Sequence, residues 1–110
     1  MIESIYLSEL GLATKGILRG EDIAFPSVAI DTRTLTAGEL YIALQGEQFD
    51  GHQFVAQAVK KGCSSVVLSD ADLAAGLHET PCLIVNNTLH ALGECSRINR
   101  ERFSLFLQYA

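Results

Sequence analysis

Short apolar runs alternate with polar loops along most of the chain, and this pattern predicts the secondary structure. The runs are of strand length and are bounded by turn-forming residues, which favours buried strands. They occupy residues 28–30, 40–44, 65–69 and 82–85. Two further stretches, residues 1–6 and 17–18, predict a short edge strand and a brief strand ahead of a turn.

Helical spacing of apolar residues predicts helices between these strands. Leu7 and Leu10 share one face of a first helix, and a short helix follows Asp70. The helix after the second buried strand would begin with a capping box over residues 50–53 and end at Gly62.

The longest predicted helix follows the last strand. Asn87 or Thr88 would cap its start, and it would end near Phe103. Its apolar spacing predicts a buried face, made of Leu89, Leu92, Cys95 and Ile98. Together these elements predict an α/β fold: a single small domain with a mixed, partly parallel sheet flanked by helices.

Length and charge narrow the function classes. The chain has 110 residues, enough for one domain with a core, and a net charge of −5 without a cluster of basic residues. Nucleic acid and anionic membranes are therefore not expected as partners. An odd set of three cysteines without metal or redox spacing predicts buried thiols in a reducing compartment. With no leader-like or membrane-length apolar run, we expect a cytoplasmic protein.

The first polar loop, Asp31-Thr32-Arg33-Thr34, follows a predicted strand directly, where ligands bind in open α/β sheets. Its hydroxyls and backbone N–H groups could hold a polar ring such as uracil, and Arg33 could face an anionic group. Alternatively, Asp31 closes a turn and Arg33 pairs with a neighbouring acid. Residue chemistry alone leaves both interpretations open.

The second polar loop, residues 46–52, follows the next strand and places hydrogen-bonding side chains around Phe49. This arrangement suits a stacked base, and it equally suits a loop anchored by one buried ring. We interpret His52 as a polar surface or capping residue and not as a general base. His78 and His90 lack metal-type partners, so no metal site is predicted. The residues by themselves indicate a binding domain without a visible catalytic apparatus.

Three motifs, in the two polar loops and the strand between them, resemble the N-terminal domain of the Mur ligases, bacterial enzymes that build the peptide stem of peptidoglycan. They are Asp31-Thr32-Arg33, residues 38–44 (GELYIAL) and residues 46–54 (GEQFDGHQF), and residues 85–93 continue the similarity. The resemblance covers about residues 1–102. It implies that this domain holds the UDP end of a UDP-N-acetylmuramoyl-peptide. The implied contact residues are Ile30, Asp31, Thr32, Arg33, Gly46, Glu47, Gln48 and Phe49.

Within the family, the motifs most resemble the branch that adds D-alanyl-D-alanine to UDP-N-acetylmuramoyl-tripeptide. The alternatives are the branch that adds the third stem residue, and a free-standing, non-catalytic module that binds other partners and has lost the substrate. The family uses ATP and magnesium in a central domain, followed by a C-terminal domain. We expect no cofactor and no catalytic residue in this chain.

Residues 103–110 depart from the family pattern, at the place where the central ATP-binding domain would begin. The resemblance therefore implies a fragment of a longer protein, an artificially truncated form of it or a prematurely ended gene product, and in each case no ligase activity of the chain alone. Without that neighbouring domain, we expect the apolar tail to be disordered or to pack against another copy of the chain.

Overall fold

The computed structural model describes residues 4–109, with side chains up to residue 102. Its centre is a five-stranded sheet in which the order of strands is β2-β7-β6-β5-β4. These strands are β2 (Ile17–Arg19), β4 (Val28–Ala29), β5 (Leu40–Ile42), β6 (Ser65–Leu68) and β7 (Cys82–Ile84). A separate two-stranded antiparallel sheet pairs β1 (Ile5–Tyr6) with β3 (Ala24–Phe25).

The five-stranded sheet is mixed and mostly parallel, which confirms the predicted fold class. Strands β4, β5, β6 and β7 run parallel, and β2 pairs antiparallel with β7, Ile17 opposite Ile84. Because parallel neighbours point the same way, their carboxyl ends lie along one edge of the sheet. The loops that follow β4, β5 and β6 are therefore neighbours in space.

Helices cover both faces of the sheet and make a three-layer domain. They are α1 (Leu7–Thr14), α2 (Val55–Lys60), α3 (Ala71–Ala75) and α4 (Thr88–Tyr109), with a 3₁₀ helix (Gly51–Phe54) ahead of α2. Leu40 and Ile42 of β5 pack on the face covered by α1 and α4, and Tyr41 packs on the face covered by α2 and α3. This division follows from the two-residue period of a strand, which sends alternate side chains to opposite faces.

The predicted helix boundaries are largely confirmed by their capping contacts. Asp70 accepts hydrogen bonds from the backbone N–H groups at the start of α3, and Asn87 accepts one from the N–H of His90, at 3.0 Å. After α2, Gly62 adopts a φ of 91°, a left-handed conformation that glycine accommodates without strain.

The predicted capping box at residues 50–53 is wrong in its detail. The Asp50 carboxylate accepts from the N–H of His52 at 3.0 Å, and the N–H of Gln53 donates to the Asp50 carbonyl at 3.2 Å. The first turn is a 3₁₀ helix, and the N–H of its first residue, Gly51, donates to the Leu44 carbonyl at 2.6 Å. That bond holds the start of the turn against the segment that follows β5.

The expected course of α4 needs two corrections. Leu89, predicted to be buried, is 64% exposed, whereas Thr88 before it and Ala91 after it are buried. The helix also continues to Tyr109 and does not end near Phe103. Residues 1–3 of the predicted edge strand and the side chains of the predicted tail, residues 103–110, lie outside the described part of the chain.

Two of the cysteines, Cys82 and Cys95, are buried as predicted, and Cys63 is half-buried. Burial raises the pKa of the Cys63 and Cys95 thiols to about 11, because a thiolate is poorly solvated in the apolar interior. Both thiols are therefore protonated and unreactive at neutral pH. Across residues 4–109, no helix is both long enough and apolar enough to cross a membrane.

Candidate functional site

A cavity of about 580 Å³, here called the aromatic cavity, lies between the ends of β4 and β5 and the start of α2. It is lined by Ile30, Asp31, Thr32, Arg33, Tyr41, Leu44, Phe49, Phe54 and Gln57. The two polar loops meet here because β4 and β5 are parallel neighbours whose ends share one edge. This position, outside the carboxyl ends of parallel strands, is the usual ligand site of an open α/β sheet.

The structure brings together most of the predicted contact residues. Ile30, Asp31, Thr32, Arg33 and Phe49 line the aromatic cavity. The other three, Gly46, Glu47 and Gln48, do not line it. They form an exposed turn in which the N–H of Gly46 donates to the Phe49 carbonyl at 2.7 Å. Whether they close over a bound ligand stays a prediction.

Four lining residues were missed by the sequence reasoning: Tyr41, Leu44, Phe54 and Gln57. Phe54 and Gln57 are three positions apart and follow one another around the 3₁₀ helix and α2, so helical spacing could have paired them. Tyr41 and Leu44 carried no such signal, because they belong to an apolar run that reads as core.

The side chains of Asp31 and Arg33 bind each other in the first loop. Asp31 accepts the backbone N–H of Arg33 at 2.9 Å and its guanidinium at 2.7 Å. Hydrogen bonding from Arg33 lowers the pKa of Asp31 to about 2. Of the two interpretations left open by the sequence, the turn-closing ion pair is the one that this structure contains.

Thr32 has a different environment from its neighbours, since it is buried and faces α2. Its hydroxyl lies 3.2 Å from the side-chain oxygen of Gln57, and the Lys61 ammonium group donates to its carbonyl. A hydroxyl that donates to Gln57 keeps lone pairs for a further donor. Thr32 and Gln57 therefore form the neutral polar pair in a wall that is otherwise mostly apolar.

Two phenylalanines give the cavity an aromatic surface. The rings of Phe49 and Phe54 are nearly parallel, with an interplanar angle of 17° and centroids 6.0 Å apart. They are 47% and 37% exposed, and Ile30 beside them is also exposed. A group of exposed apolar side chains around a concave site is typical of a surface that a ligand covers.

Tyr41 forms the floor of the cavity and joins β5 to the 3₁₀ helix. Its hydroxyl donates to the Gly51 carbonyl at 2.8 Å within the protein interior. Burial raises the pKa of Tyr41 to about 12, so the phenol stays protonated and remains a donor at neutral pH. This bond fixes the base of the second loop relative to the sheet.

Of the two roles predicted for His52, polar surface residue or capping residue, the structure contradicts the first. Its side chain is only 9% exposed, with Nδ1 at 2.7 Å from an Asp50 carboxylate oxygen. Nε2 accepts the backbone N–H of Ser69 at 3.0 Å. The ring therefore bridges the second loop and the end of β6. The pKa of Asp50 is lowered, first by the N–H of His52 and then by its ring.

A second, smaller cavity of about 370 Å³ adjoins this bridge and is here called the carboxylate cavity. Its lining is Gln45, Asp50, His52, Ser69, Asp70, Ala71 and Asp72. Within the described residues no three His, Cys, Asp or Glu side chains are placed to hold a metal ion.

The sequence profile of the Mur ligase family, described as its catalytic domain, matches residues 25–100. The UDP-N-acetylmuramoyl-tripeptide–D-alanyl-D-alanine ligase of Escherichia coli K12 is 40% identical over 102 residues, which cover 90% of this chain and 21% of that protein. The chain thus spans about a fifth of the length of this curated relative.

Solved structures agree with the sequence matches. MurF from Acinetobacter baumannii aligns with 84% of this chain and 20% of its own, at a TM-score of 0.70 and 30% identity. MurF from Thermotoga maritima, solved in complex with ADP, aligns with 64% of this chain and 16% of its own, at a TM-score of 0.55 and 18% identity, and shares the fold. From the family profile and these relatives together, the chain belongs to the Mur ligase family.

Proposed function

We propose that this chain is the N-terminal UDP-substrate-binding domain of a ligase that adds D-alanyl-D-alanine to UDP-N-acetylmuramoyl-tripeptide in peptidoglycan synthesis. The observation that carries the proposal is the aromatic cavity, where residues of all three family motifs meet at the ends of parallel strands. The branch of the family is supported by the 40% identity to the Escherichia coli enzyme of that name.

In this proposal the uracil ring lies against Phe49 and Phe54, because nearly parallel exposed rings suit base stacking. Thr32 and Gln57 supply the polar contacts to the ring edge, since their hydroxyl and amide groups both donate and accept. Asp31 and Arg33 shape the loop through their ion pair. Gly46, Glu47 and Gln48 approach the nucleotide from the exposed turn.

The proposed division of the chain places the binding domain at residues 1–102, with residues 103–110 leading towards a central domain. ATP and magnesium would act in that central domain, and we assign neither to residues of this chain. Binding at the UDP end is remote from the carboxylate that reacts. The chain alone is accordingly expected to bind the nucleotide and to ligate nothing.

Titration calorimetry on the chain itself tests this proposal. UDP-N-acetylmuramoyl-tripeptide and UDP should both bind and should compete, whereas the same muramoyl-tripeptide without UDP should not compete. Thr32→Val should weaken binding by about two- to tenfold, the effect of one lost hydrogen bond. Thr36→Val changes a threonine that is exposed and should leave the affinity unchanged.

Two outcomes would contradict the proposal. Absence of binding by a folded chain at millimolar UDP would favour the free-standing module that has lost the substrate. Competition by the UDP-free muramoyl-tripeptide would move the contact away from the nucleotide and so from the aromatic cavity.

A further inference from the structure

The hydrogen bonds of His52 define which of its nitrogens carries a proton. Nε2 lies 3.0 Å from the backbone N–H of Ser69, which can only donate, so Nε2 must be the unprotonated acceptor. The proton of a neutral imidazole then resides on Nδ1, which is 2.7 Å from the Asp50 carboxylate and donates to it. His52 is therefore held as the neutral Nδ1–H tautomer by one partner at each end.

This bridge acts on the second loop next to the residue that forms the aromatic surface. Asp50 follows Phe49 directly, and the backbone of Asp50 pairs with Gln45 across the base of the loop. The Phe49 carbonyl is in turn held by the N–H of Gly46 at 2.7 Å. Fixing the Asp50 side chain to the end of β6 thus fixes the position from which Phe49 reaches Phe54.

We propose that His52 is a positioning residue for the aromatic cavity: it ties Asp50 to Ser69, keeps Phe49 against Phe54, and releases this arrangement when it is protonated. The ligand part of this inference rests on the proposed function, with UDP as the ligand. The structural part concerns the ligand-free chain and can be tested without any binding.

Protonation would change one end of the bridge only. An imidazolium still donates to Asp50, but its new Nε2–H faces the N–H of Ser69, and two donors cannot bond. The Ser69 hydroxyl, 3.3 Å from Nε2, can rotate to accept, which would move the ring away from the amide. The charged groups that line the carboxylate cavity with the ring are Asp50 of the second loop, Asp70 at the cap of α3 and Asp72 in its first turn. The lining contains no lysine and no arginine.

Two conservative variants separate the ends of the bridge. In His52→Gln the amide oxygen takes the place of Nε2 and accepts from Ser69, without a titratable group. In His52→Asn the amide nitrogen takes the place of Nδ1 and keeps the hydrogen bond to Asp50, but the side chain is too short to reach Ser69. A matched control is His90→Gln, because His90 is exposed on α4.

UDP affinity, measured by calorimetry, should separate these variants. The wild-type chain should bind more weakly when its His52 is protonated, a state that NMR of the ring detects. His52→Gln loses the hydrogen bond from the ring to Asp50, so it should bind about two- to tenfold more weakly than wild type at neutral pH and should not weaken further when acidified. His52→Asn should bind about two- to tenfold more weakly, the effect of one lost hydrogen bond. His90→Gln should behave as wild type.

Nitrogen NMR of the ligand-free chain supplies the independent measurement. We expect an unprotonated Nε2 at neutral pH, and contacts between the Phe49 and Phe54 rings that weaken as His52 is protonated. A protonated Nε2 at neutral pH, or ring contacts that survive protonation, would overturn the inference. A His52→Asn variant that melts at a lower temperature but binds UDP as tightly as wild type would also overturn the inference. If UDP does not bind but the contacts between the Phe49 and Phe54 rings still change when His52 is protonated, the proposed function fails and the positioning role stands.

Discussion

Phe49 shows how much of the candidate site depends on a single side chain. Its ring is about half exposed, so folding buries only part of its apolar area, and its contribution to stability is correspondingly small. The same exposure leaves one face of the ring free for a ligand. Changes at Phe49 should therefore affect binding far more than they affect the folded state.

Replacing this ring gives the first prediction. Phe49→Leu should weaken UDP binding by about five- to 140-fold, because stacking of a base on an aromatic ring is worth roughly 1–3 kcal/mol. Calorimetry measures the affinity, and the urea midpoint should move little. Leu12→Ala provides the control, since Leu12 is 85% exposed on α1, across the sheet from the cavity. Equal affinities for wild type and Phe49→Leu would remove the ring from the ligand contact.

The ion pair of Asp31 and Arg33 also involves single side chains, and it predicts how the stability of the first loop depends on pH. The pKa of Asp31 in the folded chain is about 2, below its ordinary 3.8, so the pair stabilises the first loop above about pH 4. This contribution is lost as the pH falls from about 4 to about 2. Carbon NMR of the Asp31 carboxyl should report that low pKa.

Arg33→Gln should raise the pKa of Asp31 towards its ordinary value, because the hydrogen bonds from the guanidinium are its largest cause. Arg97→Gln removes a guanidinium that binds Glu94 and Glu101 on α4, and it should leave Asp31 unchanged. An Asp31 pKa that ignores Arg33→Gln would show that the pair does not form in solution.

Between elements, the closest approach near the site is that of Gly51 to the end of β5. A side-chain carbon at Gly51 would lie 2.9 Å from both the backbone nitrogen and the oxygen of Leu44. These are backbone atoms of a buried segment, which cannot move away alone. The absence of a side chain at this position is what lets the 3₁₀ helix begin directly on the strand end.

Gly51→Ala should therefore destabilise the chain by about 1–3 kcal/mol, the usual cost of overpacking, and should also weaken UDP binding by shifting the second loop. Gly93→Ala is the matched change, because no atom lies within 4 Å of its added carbon in the middle of α4. It should stabilise the chain by about 0.5–1 kcal/mol through helix propensity. Urea unfolding measures both, and equal effects of the two alanines would contradict the packing argument.

The apolar pattern and the capping residues predicted most of the helices and strands, but they predicted the contacts between these elements less well. The buried strands and the caps at Asp70 and Asn87 followed from local sequence, because apolar runs and side-chain caps act over a few residues. Strand β3 was missed, since two residues carry no measurable period and its pairing with β1 is a tertiary contact. The exposure of Leu89 was missed for the same reason, because helical spacing does not say which face meets the sheet.

In the candidate site too, features set by local sequence were predicted, and features set by contacts between distant residues were missed. The first loop was predicted from its position after a strand, whereas the burial of His52 depends on Ser69, which lies beyond the intervening helix. Tyr41 was predicted to be a core residue, and it is buried. The same buried side chain also forms the floor of the cavity, which the apolar pattern could not indicate. Contacts between residues distant in sequence decided each of these cases.

At the scale of the whole molecule, the sheet separates two apolar layers. Leu83 of β7 is fully buried in the layer shared with α1 and α4, and its strand lies between β2 and β6. It belongs to the same core cluster as residues of both helices of that layer. Its packing is therefore a measure of whether the layers are assembled as described.

Leu83→Ala should lower the free energy of unfolding by about 2–5 kcal/mol, from lost burial and from the cavity left behind. Leu12→Ala removes the same atoms from an exposed position, and it should change the free energy of unfolding by no more than about 0.5 kcal/mol. Urea unfolding followed by circular dichroism measures both. Similar values for the two variants would contradict the assignment of Leu83 to the core.

The antiparallel pairing of β2 with β7 has a consequence for the time course of synthesis and folding. Ile17 emerges from the ribosome early, but its partner Ile84 follows only after the intervening strands and helices have been made. Contacts between such distant segments require the closure of a long loop, which slows folding. Strand β2 must therefore wait unpaired, and the sheet is completed only when β7 inserts between β2 and β6. During that interval the nascent chain offers an open strand edge to chaperones and to other chains.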